Sequence, residues 1–159
     1  MSNYAYYLSE YYLYHKNYEK ALPQAINLLH FRNSAGRGTC MGLGTKFLYA
    51  GRYDEALKIF EKVLEYYPDY IEAYCNAGVA CEKKGRTDKA IENYLKAIEI
   101  EPRNVQAHYN LSVAYWTFGR WGEVVSELKK VLELDPGHGE AKKYLPQAQR
   151  FYEESGRIK

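Results

Sequence analysis

The residues most able to do chemistry in this sequence are three cysteines and four histidines, and they form no known catalytic or metal-binding pattern. The histidines show no i,i+4 pairing and have no cysteine close by in sequence, so zinc-site spacings are missing. Asp135, His138 and Glu140 lie close together, but stretches rich in Asp, Pro and Gly normally form turns. No pattern typical of a catalytic nucleophile and its base appears in the sequence. We therefore expect no catalytic site, no metal and no cofactor, and we expect that the protein is not an enzyme.

Four glycines at positions 36, 38, 42 and 44 invite comparison with a phosphate-binding loop. That motif requires Gly-Lys-Ser/Thr at a fixed distance and a preceding strand, and neither is found in the sequence. The stretch 33–38 is instead predicted to be a flexible connection that leads into a helix at about 38–50. Each interior glycine costs a helix roughly 0.5–1 kcal/mol relative to alanine, so this helix is predicted to be the least stable of the chain.

The chain repeats itself with a period of 34 residues. Glycines and prolines each recur in register, at Gly51, Gly85 and Gly119 and at Pro68, Pro102 and Pro136. A fixed period of this size is typical of an array of stacked structural repeats. The elements that position any functional side chain are therefore expected to be copies of one unit.

Each repeat is predicted to be a helical hairpin. In 71–104, apolar residues recur at i, i+3, i+4 and i+7 in two separate stretches, which is the pattern of two amphipathic helices. Gly85 is placed to end the first helix and Pro102 to end the second. The second helices are predicted at about 53–66, 87–100 and 121–134. One repeat position holds only small residues, which let the two helices approach closely: Gly44, Gly78 and Ser112.

These repeats resemble the tetratricopeptide repeat (TPR) family. The family pattern L-G-x-x-F…G-x-Y-x-x-A…F…P is met by Leu43, Gly44, Phe47, Gly51, Tyr53, Ala56, Phe60 and Pro68, and two further copies follow, so that the match covers 37–138. The resemblance implies an all-α fold: a right-handed α-α superhelix (a solenoid) of stacked helical hairpins, with about four repeats and a C-terminal capping helix. It also implies a concave groove, lined by the first helix of each hairpin, that holds a peptide or partner protein. It does not imply catalysis.

The whole chain, 1–159, is expected to form a single domain of this kind. A degenerate first repeat is followed by three regular repeats and a capping helix, with bounds at 2–34, 37–70, 71–104, 105–138 and 139–159. In the first repeat, Lys16 stands where the others have the turn glycine. In the capping segment, Pro146 is expected to kink the helix. A basic recognition tail is the alternative for this segment, although its glutamates dilute the positive charge.

The resemblance assigns ligand contact to first-helix residues that the core does not use. Carried over position by position, the expected groove residues are Tyr6, Glu10, Met41, Thr45, Tyr49, Asn76, Val79, Lys83, Tyr109, Asn110, Val113 and Trp116, and the same positions add Tyr7, Gly42 and Cys75. Asn76 and Asn110 stand where the family often uses asparagine to hold a ligand's backbone. An amide suits this role because it donates and accepts hydrogen bonds at once.

One subset of the family grips the C-terminal carboxylate of its ligand with lysine and arginine. This sequence has other residues where such basic and amide side chains are needed, namely Met41, Thr45, Val79, Tyr109 and Val113. We therefore expect no carboxylate clamp, but a groove of aromatic and apolar character that suits an amphipathic helix or an apolar extended segment. Tyr109 and Trp116 are the expected anchors, because tyrosine and tryptophan often dominate interface energies.

Composition narrows the class of partner. The net charge is only +2, which predicts no strong attraction to nucleic acid or to a membrane surface. No apolar run approaches the ~20 residues of a membrane span, so no direct membrane insertion is expected. The N-terminus lacks the basic start and apolar core of a signal peptide. An odd number of cysteines fits free thiols in a reducing compartment, which favours the cytoplasm.

Two alternative functions stay open at this stage. The first 14 residues include six tyrosines, which is more aromatic surface than one hairpin can bury. In the first alternative, copies of the chain assemble into a homo-oligomer through this tyrosine-rich N-terminal helix. The other alternative is that the chain is the accessory repeat segment of a longer enzyme or membrane protein.

Overall fold

The structure, a computed structural model, describes residues 2–29 and 34–157, and all regular secondary structure in these stretches is α-helical. Within them nine helices follow one another: α1 (Ser2–Tyr14), α2 (Tyr18–Leu29), α3 (Ser34–Tyr49), α4 (Tyr53–Tyr66), α5 (Ile71–Lys83), α6 (Thr87–Ile100), α7 (Val105–Thr117), α8 (Trp121–Leu134) and α9 (Gly139–Arg157). The helices pack as four hairpins, which are α1 with α2, α3 with α4, α5 with α6, and α7 with α8. Helix α9 packs on α8. The predicted all-α stack of hairpins is confirmed.

The turn inside each hairpin requires a left-handed backbone. Gly51, Gly85 and Gly119 have φ angles of +74°, +70° and +63°, which glycine adopts without a Cβ clash. The first hairpin places Lys16 at this turn with φ of +54°. The degenerate repeat therefore keeps the turn geometry of the others, although a left-handed backbone is sterically less favourable for Lys16 than for glycine. The predicted bounds of the second helices are confirmed by α4, α6 and α8.

The small residues at the shared repeat position permit close helix packing, as the sequence indicates. A Cβ added to Gly44 would lie 2.5 Å from Phe60 Cε1, and a Cβ added to Gly78 would overlap the Tyr94 ring. Both rings are fully buried. The fourth repeat has Ser112 at this position, and its second helix supplies the smaller Leu128 in place of an aromatic ring. The residue at the small position and the large residue that faces it therefore change together between repeats: glycine faces an aromatic ring, and serine faces leucine.

The first helices form a continuous layer through the molecule. In this layer α1 contacts α3, α3 contacts α5, and α5 contacts α7. The hydrophobic core lies between this layer and the second helices and runs the length of the stack, and its largest fully buried side chains include Phe47, Phe60, Tyr94, Leu111 and Leu128. Because each hairpin shares this core with its neighbours, the array is stabilised by stacking rather than by any one repeat.

Helix α3 begins earlier than the sequence indicates. It starts at Ser34 rather than at about residue 38, so the predicted flexible connection is wrong over 34–38, and residue 33 lies outside the described residues. The Arg37 guanidinium stacks 5.2 Å from the ring centroid of Tyr67 and 4.6 Å from that of Tyr70. These contacts with the α4–α5 turn hold the glycine-rich first turns of α3 in place, which local propensity alone does not predict.

Helix α9 covers the end of the stack. Ala141 and Ala148 are fully buried on its inner side, and Leu145 packs against the core. The helix runs from Gly139 to Arg157 with Pro146 inside it, and the kink expected at that proline stays a prediction. The exposed residues of α9 are mostly polar, with Tyr152 as an exposed aromatic residue, and a largely polar outer side is what the end of a solenoid needs.

Candidate functional site

The predicted groove residues lie on the layer of first helices. We call their surface the first-helix face, and it consists of Tyr6, Glu10, Thr45, Tyr49, Asn76, Val79, Lys83, Tyr109, Asn110, Val113 and Trp116. These residues occupy matching repeat positions on adjacent helices, which the contacts from α1 through α7 bring side by side.

At the N-terminal end, the first-helix face is polar and aromatic. Tyr6 is exposed, and Tyr49 is 87% exposed. The Glu10 carboxylate pairs with Lys46 Nζ at 3.2 Å, which ties α1 to α3. The Thr45 hydroxyl donates to the Met41 carbonyl oxygen at 2.9 Å, so its hydrogen-bonding capacity is partly used within α3.

Met41 does not belong to this surface. It is only 3% exposed and lies in the hydrophobic core, so its expected place in the groove is wrong. A flexible thioether side chain fills irregular core space well. Cys75, at the same position of the next repeat, is also buried, where it packs against Ala97 and Ala107. In these two repeats the position therefore serves packing, whereas Tyr109 in the fourth repeat remains half-buried.

In the middle of the face, helix α5 contributes three of the expected residues. Asn76 and Val79 are half-buried, and Val79 packs against the core. Lys83 is exposed in the last turn of α5, where a positive charge suits the helix dipole. Gly42, on α3, is exposed, and a Cβ added to it would meet no atom within 4 Å. The backbone of α3 is therefore open to close approach at this point.

The C-terminal end of the face contains an apolar cavity of about 380 Å³. We call it the C-terminal cavity, and it is lined by Tyr109, Ser112, Val113, Trp116, Thr117, Leu128 and Tyr144. Val113 is 42% exposed at this cavity. The Ser112 hydroxyl donates to the Tyr109 carbonyl at 2.6 Å, and the Thr117 hydroxyl donates to the Val113 carbonyl at 3.2 Å. Both hydroxyls are thus satisfied within α7.

One wall of this cavity comes from α9, which sequence reasoning did not assign to the site. Trp116 packs edge-on against Trp121 at 5.1 Å between ring centroids and against Tyr144 and Phe151 at 5.9 Å each. Tyr144 and Phe151 are seven residues apart and therefore lie on one side of α9. The seven-residue spacing indicates from sequence alone that the two rings share one side of a helix. Both residues lie beyond the last repeat, however, so the repeat register does not connect them with the site. Trp116 is accordingly held in a preformed aromatic cluster.

A second cavity, of about 420 Å³, lies at the end of the face where α5 and α7 begin. We call it the loop cavity, and it is lined by Asp69, Tyr70, Ile71, Glu72, Cys75, Asn76, Asn104 and Gln106. Its two charged lining residues, Asp69 and Glu72, are both acidic. The side chain of Asn104 accepts from the Ala107 backbone N–H at 2.9 Å and so caps α7. The lining of the loop cavity thus includes two carboxylates, whereas the lining of the C-terminal cavity includes none.

The exposed side of α7 connects the two cavities. Gln106, Asn110, Val113 and Thr117 follow at i, i+4, i+7 and i+11, which places them on one side of the helix, and we call this line of residues the α7 strip. The Gln106 amide donates to the Asn110 side-chain oxygen at 2.7 Å. Gln106 also lines the loop cavity, while Val113 and Thr117 line the C-terminal cavity. The strip therefore passes from an end with two carboxylates to an end with none.

Two buried thiols and one buried imidazole have well-defined surroundings. Burial raises the pKa of Cys40 to about 12, and the pKa of Cys75 is raised to about 11, first by burial and further by Glu101 and Glu72. Both thiols therefore stay protonated at neutral pH and are poor nucleophiles. The His108 ring is buried and held by the Glu127 carboxylate at 2.6 Å and the Pro102 carbonyl at 3.1 Å, which is a packing role.

Across 2–29 and 34–157, no three His, Cys, Asp or Glu side chains come together as a metal site, and this includes Asp135, His138 and Glu140. Among the helices of those same stretches, none combines the length and apolarity that a membrane crossing demands.

The fold and the face define a class of protein built from helical hairpin repeats. Three sequence profiles of the tetratricopeptide repeat family match the chain: two described as "Tetratricopeptide repeat", at residues 47–92 and 105–138, and one described as "TPR repeat", at residues 81–119. Together they span 47–138. The chain belongs to the tetratricopeptide repeat family, as its periodic residues predict.

Solved structures of low sequence identity share this fold. One is titled as the first TPR of Spaghetti (RPAP3) bound to the HSP90 peptide SRMEEVD, with 21% identity, a TM-score of 0.71, and coverage of 74% of this chain and 94% of that one. The Sgt2 TPR domain from Aspergillus fumigatus has 20% identity, a TM-score of 0.71 and coverage of 76% and 82%. The MamA protein has 17% identity, a TM-score of 0.70 and coverage of 96% and 88%. No curated protein sequence matches the chain significantly.

Proposed function

We propose that this chain is a protein-interaction module whose first-helix face binds a segment of a partner protein. The observation that carries the proposal is the C-terminal cavity, a preformed apolar hollow of about 380 Å³ beside the exposed Val113. Concave, mostly apolar hollows with a few polar groups at the rim are the usual form of a binding site. A TPR domain of the same fold is titled as bound to a peptide, which supports the same class of function here.

The bound segment is not held by a carboxylate clamp in this proposal. Such a clamp needs lysine or arginine side chains that point at the carboxylate. The residues that line the C-terminal cavity and the loop cavity include neither lysine nor arginine. Tyr109, Trp116 and Tyr144 instead supply large, rigid apolar contacts of the kind that often dominate binding energy. Catalysis is not part of the proposed function.

The N-terminal half of the face extends this surface. Tyr6, Glu10, Thr45 and Tyr49 give it polar and aromatic contacts, and Gly42 allows a ligand backbone to come close. Asn76 and Asn110 are placed to hydrogen-bond the ligand's main chain, although the Asn110 oxygen already accepts from Gln106. Three unpaired, buried cysteines suit a reducing compartment, and on that ground we propose the cytoplasm.

The test is affinity capture with matched variants. Val113→Gln places a neutral amide at the mouth of the C-terminal cavity, and Leu95→Gln makes the same change at an exposed leucine on α6, outside the first-helix face. We expect a partner from the source lysate to be retained by the wild type and by Leu95→Gln and to be lost with Val113→Gln. Equal retention by all three proteins would contradict a site on α7.

A second candidate function is self-assembly through α1. Its outer side exposes Tyr4, Tyr7, Tyr11 and Tyr14, an aromatic surface that the first hairpin does not cover. Exposed apolar patches of this kind mark interaction sites. If copies dock through this surface, light scattering of the wild type gives a discrete oligomer that Tyr7→Ser/Tyr11→Ser reduces to a monomer. A strict monomer at high concentration would rule this candidate out.

A further inference from the structure

We infer that the segment bound along the α7 strip carries an apolar or aromatic side chain and, about three residues away if it is extended, a lysine or arginine. The apolar side chain enters the C-terminal cavity, and the basic side chain reaches the loop cavity. This inference rests on the proposed function and specifies the chemistry of its ligand. It gives the ligand both a composition and a direction along α7.

The C-terminal cavity selects an apolar occupant because most of its lining surface is apolar and its two aliphatic hydroxyls are already used. These hydroxyls, on Ser112 and Thr117, donate to carbonyls of α7 itself. A polar side chain that entered would lose water and find few partners, which is costly. The Tyr109 and Trp116 rings and the Val113 side chain present apolar surface instead. An aliphatic or aromatic side chain therefore gains most from this cavity.

The loop cavity selects a basic occupant because its charge is negative. Asp69 and Glu72 both line it, and Glu101 lies at the same end, since its carboxylate accepts from the Asn104 side chain at 2.7 Å. The raised pKa of Cys75 is consistent with this field, since Glu101 and Glu72 add to the larger effect of burial. Arg37 also reaches this end, stacked on Tyr70, and Arg103 lies in the same turn as Glu101, so two positive charges partly offset the three carboxylates.

Two further positive charges, Lys83 and Lys143, lie away from the loop cavity. Lys83 is in the last turn of α5, and Lys143 lies over the ring of Tyr144 at 5.1 Å, beside the C-terminal cavity. The first-helix face is thus acidic where α5 and α7 begin and basic toward the far end of α5. A ligand with a basic side chain should orient that side chain toward Glu72. Opposite charges at the two ends fix direction more than they add affinity.

The spacing follows from the geometry of α7. Gln106 at the loop cavity and Val113 at the C-terminal cavity are seven residues apart, which is about 10 Å at 1.5 Å per helical residue. An extended chain spans about 3.3–3.6 Å per residue, so three residues cover this distance. A helical ligand needs about seven residues, or two turns. Between the two ends, Asn110 lies beneath the ligand's main chain.

The first experiment selects ligands without assuming them. A phage-displayed library of random 12-residue peptides is panned on the wild-type chain and counter-panned on Val113→Gln. We expect enrichment of peptides in which an aromatic or aliphatic residue precedes or follows a lysine or arginine by three or four positions, or by seven. Enriched peptides that are acidic, or that lack a basic residue at these spacings, would overturn the inference while leaving the proposed binding function intact. No enrichment over Val113→Gln would overturn both.

The second experiment tests the acidic end directly. An enriched peptide, made with blocked termini, is titrated against Asp69→Asn/Glu72→Gln, which removes two negative charges with little change of shape. The matched control, Glu92→Gln/Glu153→Gln, removes two exposed carboxylates away from both cavities. We expect the dissociation constant to rise about 3- to 10-fold for the first variant, a typical effect for two exposed ion pairs, and to stay within about 2-fold for the control. Equal effects of both variants would overturn the inference.

Discussion

A single methyl group added at two glycines should change stability in opposite directions. In Gly78→Ala the new Cβ overlaps the ring of Tyr94, which is fully buried and whose hydroxyl donates to the Glu82 carboxylate at 2.9 Å. The ring cannot move aside without disturbing that hydrogen bond and the surrounding core. Overpacking of this kind typically costs about 1–3 kcal/mol. The gain in helix propensity returns roughly 0.5–1 kcal/mol, so we expect a net destabilisation of about 0.5–2 kcal/mol.

The matched substitution, Gly42→Ala, adds the same methyl group where nothing lies within 4 Å. Only the helix propensity term remains, so this variant should be more stable than the wild type by roughly 0.5–1 kcal/mol. Urea unfolding followed by far-UV circular dichroism measures both changes. A Gly78→Ala variant that is stabilised as much as Gly42→Ala would refute the close approach of α5 and α6 at this point.

A rescue experiment tests the pairing of small and large residues. The double variant Gly78→Ser/Tyr94→Leu reproduces in the third repeat the Ser112 and Leu128 pair of the fourth, where both residues are buried. We expect Gly78→Ser and Tyr94→Leu each to destabilise, and the double variant to lose less stability than the sum of the two. Residues in contact typically show such coupling, whereas additive losses would mean that the two positions act independently.

Two further predictions concern titratable groups. Burial raises the pKa of Glu82, so the folded state favours the protonated carboxyl group. The contribution of Glu82 to folding stability is therefore most favourable below the usual carboxyl pKa and is lost as pH rises through the raised pKa. Glu82→Gln should therefore stabilise the chain at pH 7, with the advantage vanishing in acid, and an advantage that persists unchanged at low pH would contradict this reasoning. The Cys40, Cys75 and Cys81 thiols are buried with raised pKa values, so a thiol reagent at pH 8 should react with them only in urea; rapid reaction of the native chain would show that they are exposed.

The fold was predictable because one unit recurs with little variation. The glycines at the hairpin turns and the prolines after the second helices mark the same backbone events in each repeat, so helix bounds could be read directly from the sequence. The start of α3 could not be read in this way. Glycines argue against a helix there, and the stabilising contacts between Arg37 and the rings of Tyr67 and Tyr70 join residues about 30 positions apart.

The candidate site was predictable by position but not by environment. Repeat register identified α7 residues that line an apolar cavity, including Tyr109, Val113 and Trp116. Register could not reveal that Met41 is buried, because that depends on how the second hairpin packs against its neighbours. Nor could it reveal the aromatic wall of α9, since Tyr144 lies outside every repeat and reaches the cavity only through the packing of the cap on α8.

The central claim is that a partner segment binds on α7, and site-specific photo-cross-linking tests it most directly. A photoreactive amino acid placed at position 113 reports on the mouth of the C-terminal cavity, and the same group at position 95 reports on the outer side of α6. In lysate from the source cells, we predict a covalent adduct with a partner protein from position 113, not from position 95, and suppression of that adduct by an enriched peptide. An adduct from position 95 alone, or equal adducts from both positions, would contradict the account.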